Sequence, residues 1–111
     1  MLKNKTPYYA VIFSNQRITT DDVFYQNLSK SLRASAKSQP GYLGLESYSN
    51  PDGTGTTISY WEDLKSIAAW RKNAEHVVAQ HYGRDTAYAN YTVRVCEVQR
   101  EYQFSKEENT T

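Results

Sequence analysis

The sequence predicts one α+β domain with the element order β-α-β-β-α-α-β, an antiparallel sheet carrying its helices on one face. Three observations predict it. A chain of 111 residues fits one domain and leaves no room for two. Its apolar spacing alternates between a period of about two and a period of about 3.6. Its breakers, Pro40-Gly41 and the run Asn50-Pro51-Asp52-Gly53-Thr54-Gly55, fall between those stretches, where turns belong.

Residues 8–15 read YYAVIFSN, rich in β-branched and aromatic side chains and free of breakers, and form the first strand. Thr19-Thr20-Asp21-Asp22 then offers capping oxygens and negative charge to the positive end of a helix. Phe24, Leu28 and Leu32 follow at i, i+4, i+8 as its apolar stripe, and Pro40-Gly41 stops it. Residues 42–48 and 56–61 are the second and third strands, joined as a hairpin by the Pro- and Gly-rich turn. Asp63 caps a second helix carrying Leu64, Ile67, Ala68 and Arg71. Asn73 caps a further helical segment that ends at Gly83, a natural C-terminal stop. Residues 88–104 form a long last strand with a bend or bulge. This order is the ferredoxin-like arrangement. Residues 1–7 are an N-terminal extension, 8–104 the domain, and 105–111 a polar tail that frays.

The charge balance, 13 basic against 12 acidic residues, gives no electrostatic claim on nucleic acid or anionic lipid. The single cysteine, Cys96, excludes an internal disulfide and a Cys-rich metal site; within the last strand it reads as buried and inert. The first residues lack an apolar signal core, and no apolar run approaches the ~20 residues of a membrane span. The expected location is the cytoplasm, with no membrane partner.

The strands place apolar residues on both faces. Tyr9, Val11 and Phe13 oppose Tyr8 and Ile12 on the first strand; Tyr91, Val93 and Val95 oppose Cys96, Val98 and Tyr102 on the last. A sheet with one wet face alternates cleanly. Helices cover one of these faces and the other needs a cover, which a second subunit supplies. The expectation is a homodimer with sheets packed face to face. Ten tyrosines in so short a chain also call for extra burial, against a partner or around a ligand.

The stretches YYAVIFSNQR, QPGYLGLES, ISYWEDLKSIAAWRKNAEHVVAQHYGR and YTVRVCEVQREY resemble the antibiotic biosynthesis monooxygenase family. The likeness covers residues 8–104 and is carried by Trp61-Glu62-Asp63, Trp70, His76 and the Pro40-Gly41-Tyr42 turn. It implies the ferredoxin-like fold and a dimeric α+β barrel. It also implies one of three kinds of protein: a cofactor-free oxygenase of polycyclic aromatic phenols, a heme degrader, or one of the family's many small proteins of unknown role.

His76, at the third position of a helix capped by Asn73, is expected to be a neutral imidazole, able to take a proton from a phenol or to ligate iron. It also reads as a capping or surface histidine. The resemblance implies iron ligation near this position in the heme-degrading relatives. His81 falls on the apolar stripe with Ala74, Val77, Val78 and Tyr82, as a core residue or a pocket residue; its i, i+5 spacing from His76 is not that of a helical metal pair, and no metal site is expected. By resemblance, Trp61 packs on an aromatic substrate or a porphyrin, and otherwise closes the helix–sheet core, as Trp70 can. Asn15, near the end of the first strand, matches an asparagine that polarises the reacting centre in the heme-degrading relatives; alternatively it starts a turn. Arg17 pairs with an anionic substrate group or is solvated. Tyr60 and Tyr91, with Tyr9, line an aromatic pocket or fill the barrel and dimer interface. No dinucleotide fingerprint, P-loop or nucleophile elbow is present.

The leading reading is a monooxygenase without metal or organic cofactor, with His76 as base, Trp61 and Asn15 beside the reacting centre, and Trp70, Tyr60, Tyr91, Arg17 and His81 around a small or polycyclic aromatic substrate. The alternatives are a heme-binding or heme-degrading monooxygenase, and a non-catalytic dimeric binder of a small hydrophobic molecule.

Overall fold

The computed structural model describes residues 5–18, 23–81 and 88–106, without the side chains at 24, 25 and 78–81. Six elements follow in the order β1 (Tyr8–Arg17), α1 (Val23–Lys37), β2 (Tyr42–Ser49), β3 (Thr54–Trp61), α2 (Leu64–His81) and β4 (Tyr88–Val98). The strands form one antiparallel sheet in the order β2-β3-β1-β4. This is the ferredoxin-like α+β fold expected from the sequence.

Register fixes which side chains share a face, because residues directly opposite each other point the same way. On the helix-bearing face the sheet presents successive rows, read from β2 through β3 and β1 to β4. The first holds Tyr42, Trp61, Tyr9 and Glu97; the second Leu45, Ser59, Val11 and Val95; the third Ser47, Thr57, Phe13 and Val93; the fourth Ser49, Gly55, Asn15 and Tyr91. Over β2, β3 and β1 the rows change from apolar to polar along their length. That gradient decides where the core sits.

The core lies over the first two rows. Trp61 is fully buried and packs with Val11, Ala36 of α1 and Ile67 of α2, bordered by Tyr9, Tyr42 and Trp70. Tyr42 meets the Trp61 ring edge-on at 5.7 Å between centroids, and Trp70 lies tilted against it at 5.3 Å. The indole Nε1 donates to Ser59 Oγ at 2.8 Å, so the polar end of the ring is satisfied inside the core. Truncating a ring buried this way typically costs about 3–5 kcal/mol.

Local chemistry delivers the helices to that core. Asp63 caps α2: its Oδ1 accepts from the Ser66 amide at 2.8 Å, and this bond holds its carboxyl below the usual carboxylate range. Gly41 has φ +83°, and a Cβ there would run into the Ser66 side chain. Only glycine lets the Pro40-Gly41 turn close against the first turn of α2. The turn is tied down by the Glu62 amide, which donates to the Gly41 carbonyl at 2.8 Å. At the other end of the sheet, the Thr54 amide and hydroxyl donate to Asp52 Oδ1 at 2.9 and 2.7 Å. Gln16 Nε2 and the Arg17 amide donate to the carbonyls of Asp52 and Gly53, both at 3.0 Å, latching the β2–β3 turn to the end of β1.

Three local expectations change. The break at Asn73 does not occur, since α2 runs unbroken from Leu64 to His81. Asn73 is an interhelical tie instead, its Oδ1 accepting from Ser35 Oγ of α1. His76 therefore sits well inside α2 and is exposed, so the helix-terminus argument for a neutral ring lapses. The last strand stops at Val98 rather than 104, because Val98 pairs with Tyr8, the first residue of β1, and no partner strand continues beyond it. Cys96 is exposed rather than buried, because it lies on the face opposite the helices, on an edge strand. The expected cap at residues 19–22 and the stop at Gly83 lie outside the described residues.

The face opposite the helices carries Tyr8, Ala10, Ile12, Ile58, Tyr60, Cys96 and Val98, with Ser14, Thr56, Thr92 and Arg94 toward one end. Two phenols there are paired with carboxylates. Tyr60 donates to Glu46 at 2.6 Å, and Tyr8 donates to Glu101 at 2.7 Å, drawing the segment after β4 back across the start of β1. Glu101 is held below its usual value by the Tyr8 hydroxyl and then by Gln103. Burial, reinforced by Glu101, pushes the Tyr8 phenol up from 10.0 to about 12. Its folded-state value lies above the unfolded one, so its contribution to stability is complete below pH 10 and is lost as pH rises from 10 toward 12. Tyrosinate absorbance is expected to show a phenol ionising near pH 12 that Tyr8→Phe removes. The same substitution is expected to flatten the loss of stability between those pH values. An unchanged titration curve would contradict the assignment.

Candidate functional site

The polar rows of the helix-bearing face open into a cleft of about 560 Å³ between α1 and the sheet. Its floor is Asn15 and Arg17 of β1, Ser47 and Ser49 of β2, and Gly55 and Thr57 of β3; α1 contributes Gln26, Asn27, Ser29, Lys30 and Arg33. The lining carries hydroxyls, amides and three cationic side chains. No Asp or Glu lines it among the described residues. The local cause is the row composition. The apolar first and second rows seal against the helices, whereas Ser47, Ser49, Thr57 and Asn15 have no apolar surface with which to seal.

Asn15 stands at the β1 edge of this floor, next to β4. It is 8% exposed, and its Oδ1 is buried without a hydrogen-bond partner. A buried acceptor left unpaired costs about 1–3 kcal/mol, so a ligand that donates to it recovers a real deficit. Gly55, its neighbour on β3, keeps the space open: a Cβ there would lie 3.8 Å from Asn15 Oδ1 and 3.1 Å from the Tyr48 carbonyl. On the other side, Asn15 pairs with Tyr91 of β4. Tyr91, Phe13 and Tyr88 form a ring cluster with centroid separations of 5.2–6.0 Å. Tyr91 and Val93 remain exposed on this face. Asn15 thus lies between a cationic, hydroxyl-lined half and an aromatic half.

The structure brings together only some of the residues singled out from the sequence. Asn15, Arg17 and Tyr91 share the open end of the helix-bearing face. Trp61 and Trp70 lie in the core at the other end. Six strand positions separate Asn15 from Tyr9, the partner of Trp61, which is about 20 Å of strand; one reacting atom cannot touch both side chains. The Trp70 indole nitrogen is buried without a hydrogen-bond partner. Tyr60 projects from the opposite face, toward Glu46 and Tyr8. His76 is exposed on α2 and does not line the cleft; the side chain of His81 lies outside the described residues.

Sequence reasoning missed Lys30, Arg33, Ser47, Ser49, Thr57 and Gly55. Gln26, Lys30 and Arg33 stand at i, i+4, i+7 on the side of α1 away from Leu28, a pattern that any solvated helix face shares. The hydroxyls of β2 and β3 carry a clearer signal: they fall at the strand parity of Leu45 and Trp61, where core residues are expected.

A second depression of about 500 Å³ wraps the same end of the sheet, sharing Asn15, Ser49 and Gly55 with the first and reaching the opposite face at Ser14, Thr56, Thr92 and Arg94. No histidine, cysteine or methionine lines either cleft among the described residues, and no cluster of three metal-binding side chains occurs among them. Among the described residues the iron-ligating side chain that these clefts offer is the exposed Tyr48 phenol. No helix among the described residues is long and apolar enough to cross a membrane.

Comparison with known proteins agrees with this architecture. The family model described as antibiotic biosynthesis monooxygenase matches residues 7–82. The uncharacterized protein YqjZ of Bacillus subtilis is 41% identical over 103 residues, spanning 93% of this chain and 90% of its own. Jasmonate monooxygenase ABM of Pyricularia oryzae is 33% identical over 92 residues, spanning 81% of this chain but only 43% of the fungal protein. Among solved structures, SnoaB, a cofactor-independent oxygenase from Streptomyces nogalater, superposes with a TM-score of 0.62 over 90% of this chain and 99% of its own. At 8% identity that likeness speaks for the fold alone. The chain belongs to the antibiotic biosynthesis monooxygenase family.

Proposed function

We propose that this protein is a monooxygenase that needs no organic cofactor and oxidises a small organic molecule, with an aromatic or otherwise apolar body, held over Asn15. The observation that carries the reading is the buried Asn15 side chain, its Oδ1 unpartnered, on the floor of a cleft lined by cations, with the Tyr91 and Phe13 rings next to it just outside the cleft. Membership of the family and the oxygenase names of two of the proteins above support the reaction type.

The chemistry asks little of the protein. A substrate with an acidic C–H loses a proton, and its anion passes one electron to dioxygen. The radical pair combines to a peroxide, and loss of water leaves a carbonyl. The net change is CH2 plus O2 to C=O plus H2O, with no outside reductant. The protein must stabilise the anion and hold it in place. Fixed dipoles and charges aimed at the developing anion do this most effectively in a site that excludes bulk water. Asn15 Nδ2 donates to the oxygen on which the negative charge develops, its Oδ1 accepts from a donor elsewhere on the substrate, and the cations of the cleft favour the ionised form. No His, Asp, Glu or Cys lines the cleft among the described residues, so this reading asks for a substrate acidic enough to ionise with the help of the cleft cations. That same observation favours a second reading, a binding protein without catalysis.

Oxygen uptake by metal-free protein with enolisable and phenolic substrates separates the two. Uptake is expected without added cofactor and is expected to fall about 100-fold in Asn15→Leu. The variant should stay folded, with an unchanged or higher Tm, because the substitution removes an unpaired buried acceptor. Equal uptake by Asn15→Leu and the unsubstituted protein would contradict the site, and absence of uptake across the panel would leave the binder.

We also propose a homodimer closed through the face that carries Ile12, Ile58, Cys96 and Val98, which no helix among the described residues covers. Light scattering is expected to return twice the chain mass, and Ile58→Lys to return one chain mass. A monomer in the unsubstituted protein would contradict the proposal.

A further inference from the structure

We infer that the cleft selects an organic acid: a flat apolar body bearing a carboxylate, with the body on Phe13 and Tyr91 and the carboxylate toward Lys30 and Arg33. The inference rests on the cleft being the site and names the class of molecule that it takes.

Two independent features lead to it. The first is charge. Lys30 and Arg33 stand one turn apart on α1 and line the cleft, while no carboxylate lines it among the described residues. Arg17, on the floor, lies within electrostatic range of Asp52 outside the cleft, so the selectivity is assigned to the two α1 cations. The second feature is apolar. Tyr91 and Val93 are 42% and 49% exposed although they belong to the helix-bearing face. With Phe13 they make a platform beside Asn15, because α1 packs on β2 and α2 on β3, leaving β4 uncovered.

The two features lie on opposite sides of Asn15. Across the fourth row, Ser49, Gly55, Asn15 and Tyr91 span three strand spacings, about 14 Å. That span takes a bicyclic ring system with a carboxylate at one end with room to spare. A ligand of this shape places apolar surface on the rings, gives a hydrogen bond to or takes one from the Asn15 amide, and brings its anionic head to Lys30 and Arg33. A neutral molecule of the same shape forgoes the last contact. An inorganic anion forgoes the first.

Naphthalene-2-carboxylate and naphthalene-2-carboxamide are isosteric probes. Calorimetry at low salt and without oxygen compares their binding independently of turnover. The carboxylate is expected to bind about tenfold more tightly than the amide, equivalent to about 1.4 kcal/mol. The preference should shrink as salt is added. Lys30→Gln combined with Arg33→Gln, both exposed positions, is expected to abolish the preference without changing Tm. Tyr91→Ser is expected to weaken both probes equally and keep the preference. Four results would each overturn the inference: equal binding of the two probes, no binding of either, a preference that survives the double substitution, or inorganic phosphate competing as well as the naphthoate. Oxygen uptake accompanied by any of these would leave the monooxygenase reading standing and this one fallen. Anion preference without oxygen uptake would do the reverse.

Discussion

The burial of Trp61 is the constraint on which the rest depends. Its indole closes the space between β3, the end of α1 and the start of α2, and its one polar atom is satisfied within its own strand by Ser59. With both helices held at that end, the opposite end of the same face must be lined by residues that tolerate water. Ser47, Ser49, Thr57 and Asn15 are such residues. Core and cleft are thus two halves of one surface, and the change from apolar to polar rows along β2, β3 and β1 separates them.

Much of the fold was legible because its signals are local. Pro40-Gly41, the Asn50–Gly55 turn and the Asp63 cap each act within a few residues, and each performs its expected task. The alternation of β1 and β4 also sorted correctly: Tyr9, Val11 and Phe13 share a face with Val93, Val95 and Tyr91, as their register shows. What failed depended on distant partners. Asn73 has the chemistry of a cap, but Ser35 of another helix takes its side chain, and α2 continues through it. Tyr102 and Phe104 fit a strand, but among the described residues no strand pairs with them, and both are exposed.

The site was legible in part, for the same reason. Asn15 and Arg17 stood out as polar residues at the end of an apolar strand. Tyr91 stood out as an aromatic on a two-faced strand. Lys30 and Arg33 gave no signal, since a charged helix face is ordinary until one knows that a polar patch of sheet lies across from it. Trp61 drew attention as a large ring at a strand end, and the structure spends that ring on packing. The unpaired Oδ1 of Asn15 lies between the aromatic and cationic residues, and it is visible only with the chain folded.

The central claim is that ligands enter over Asn15 and not beside Trp61. Amide chemical-shift mapping with naphthalene-2-carboxylate tests it most directly. Shifts are expected to concentrate at Asn15, Gly55, Thr57, Ser47 and Lys30, with the Trp61 and Trp70 indole signals unmoved. Shifts centred on the two indoles, with Asn15 and Gly55 silent, would contradict it.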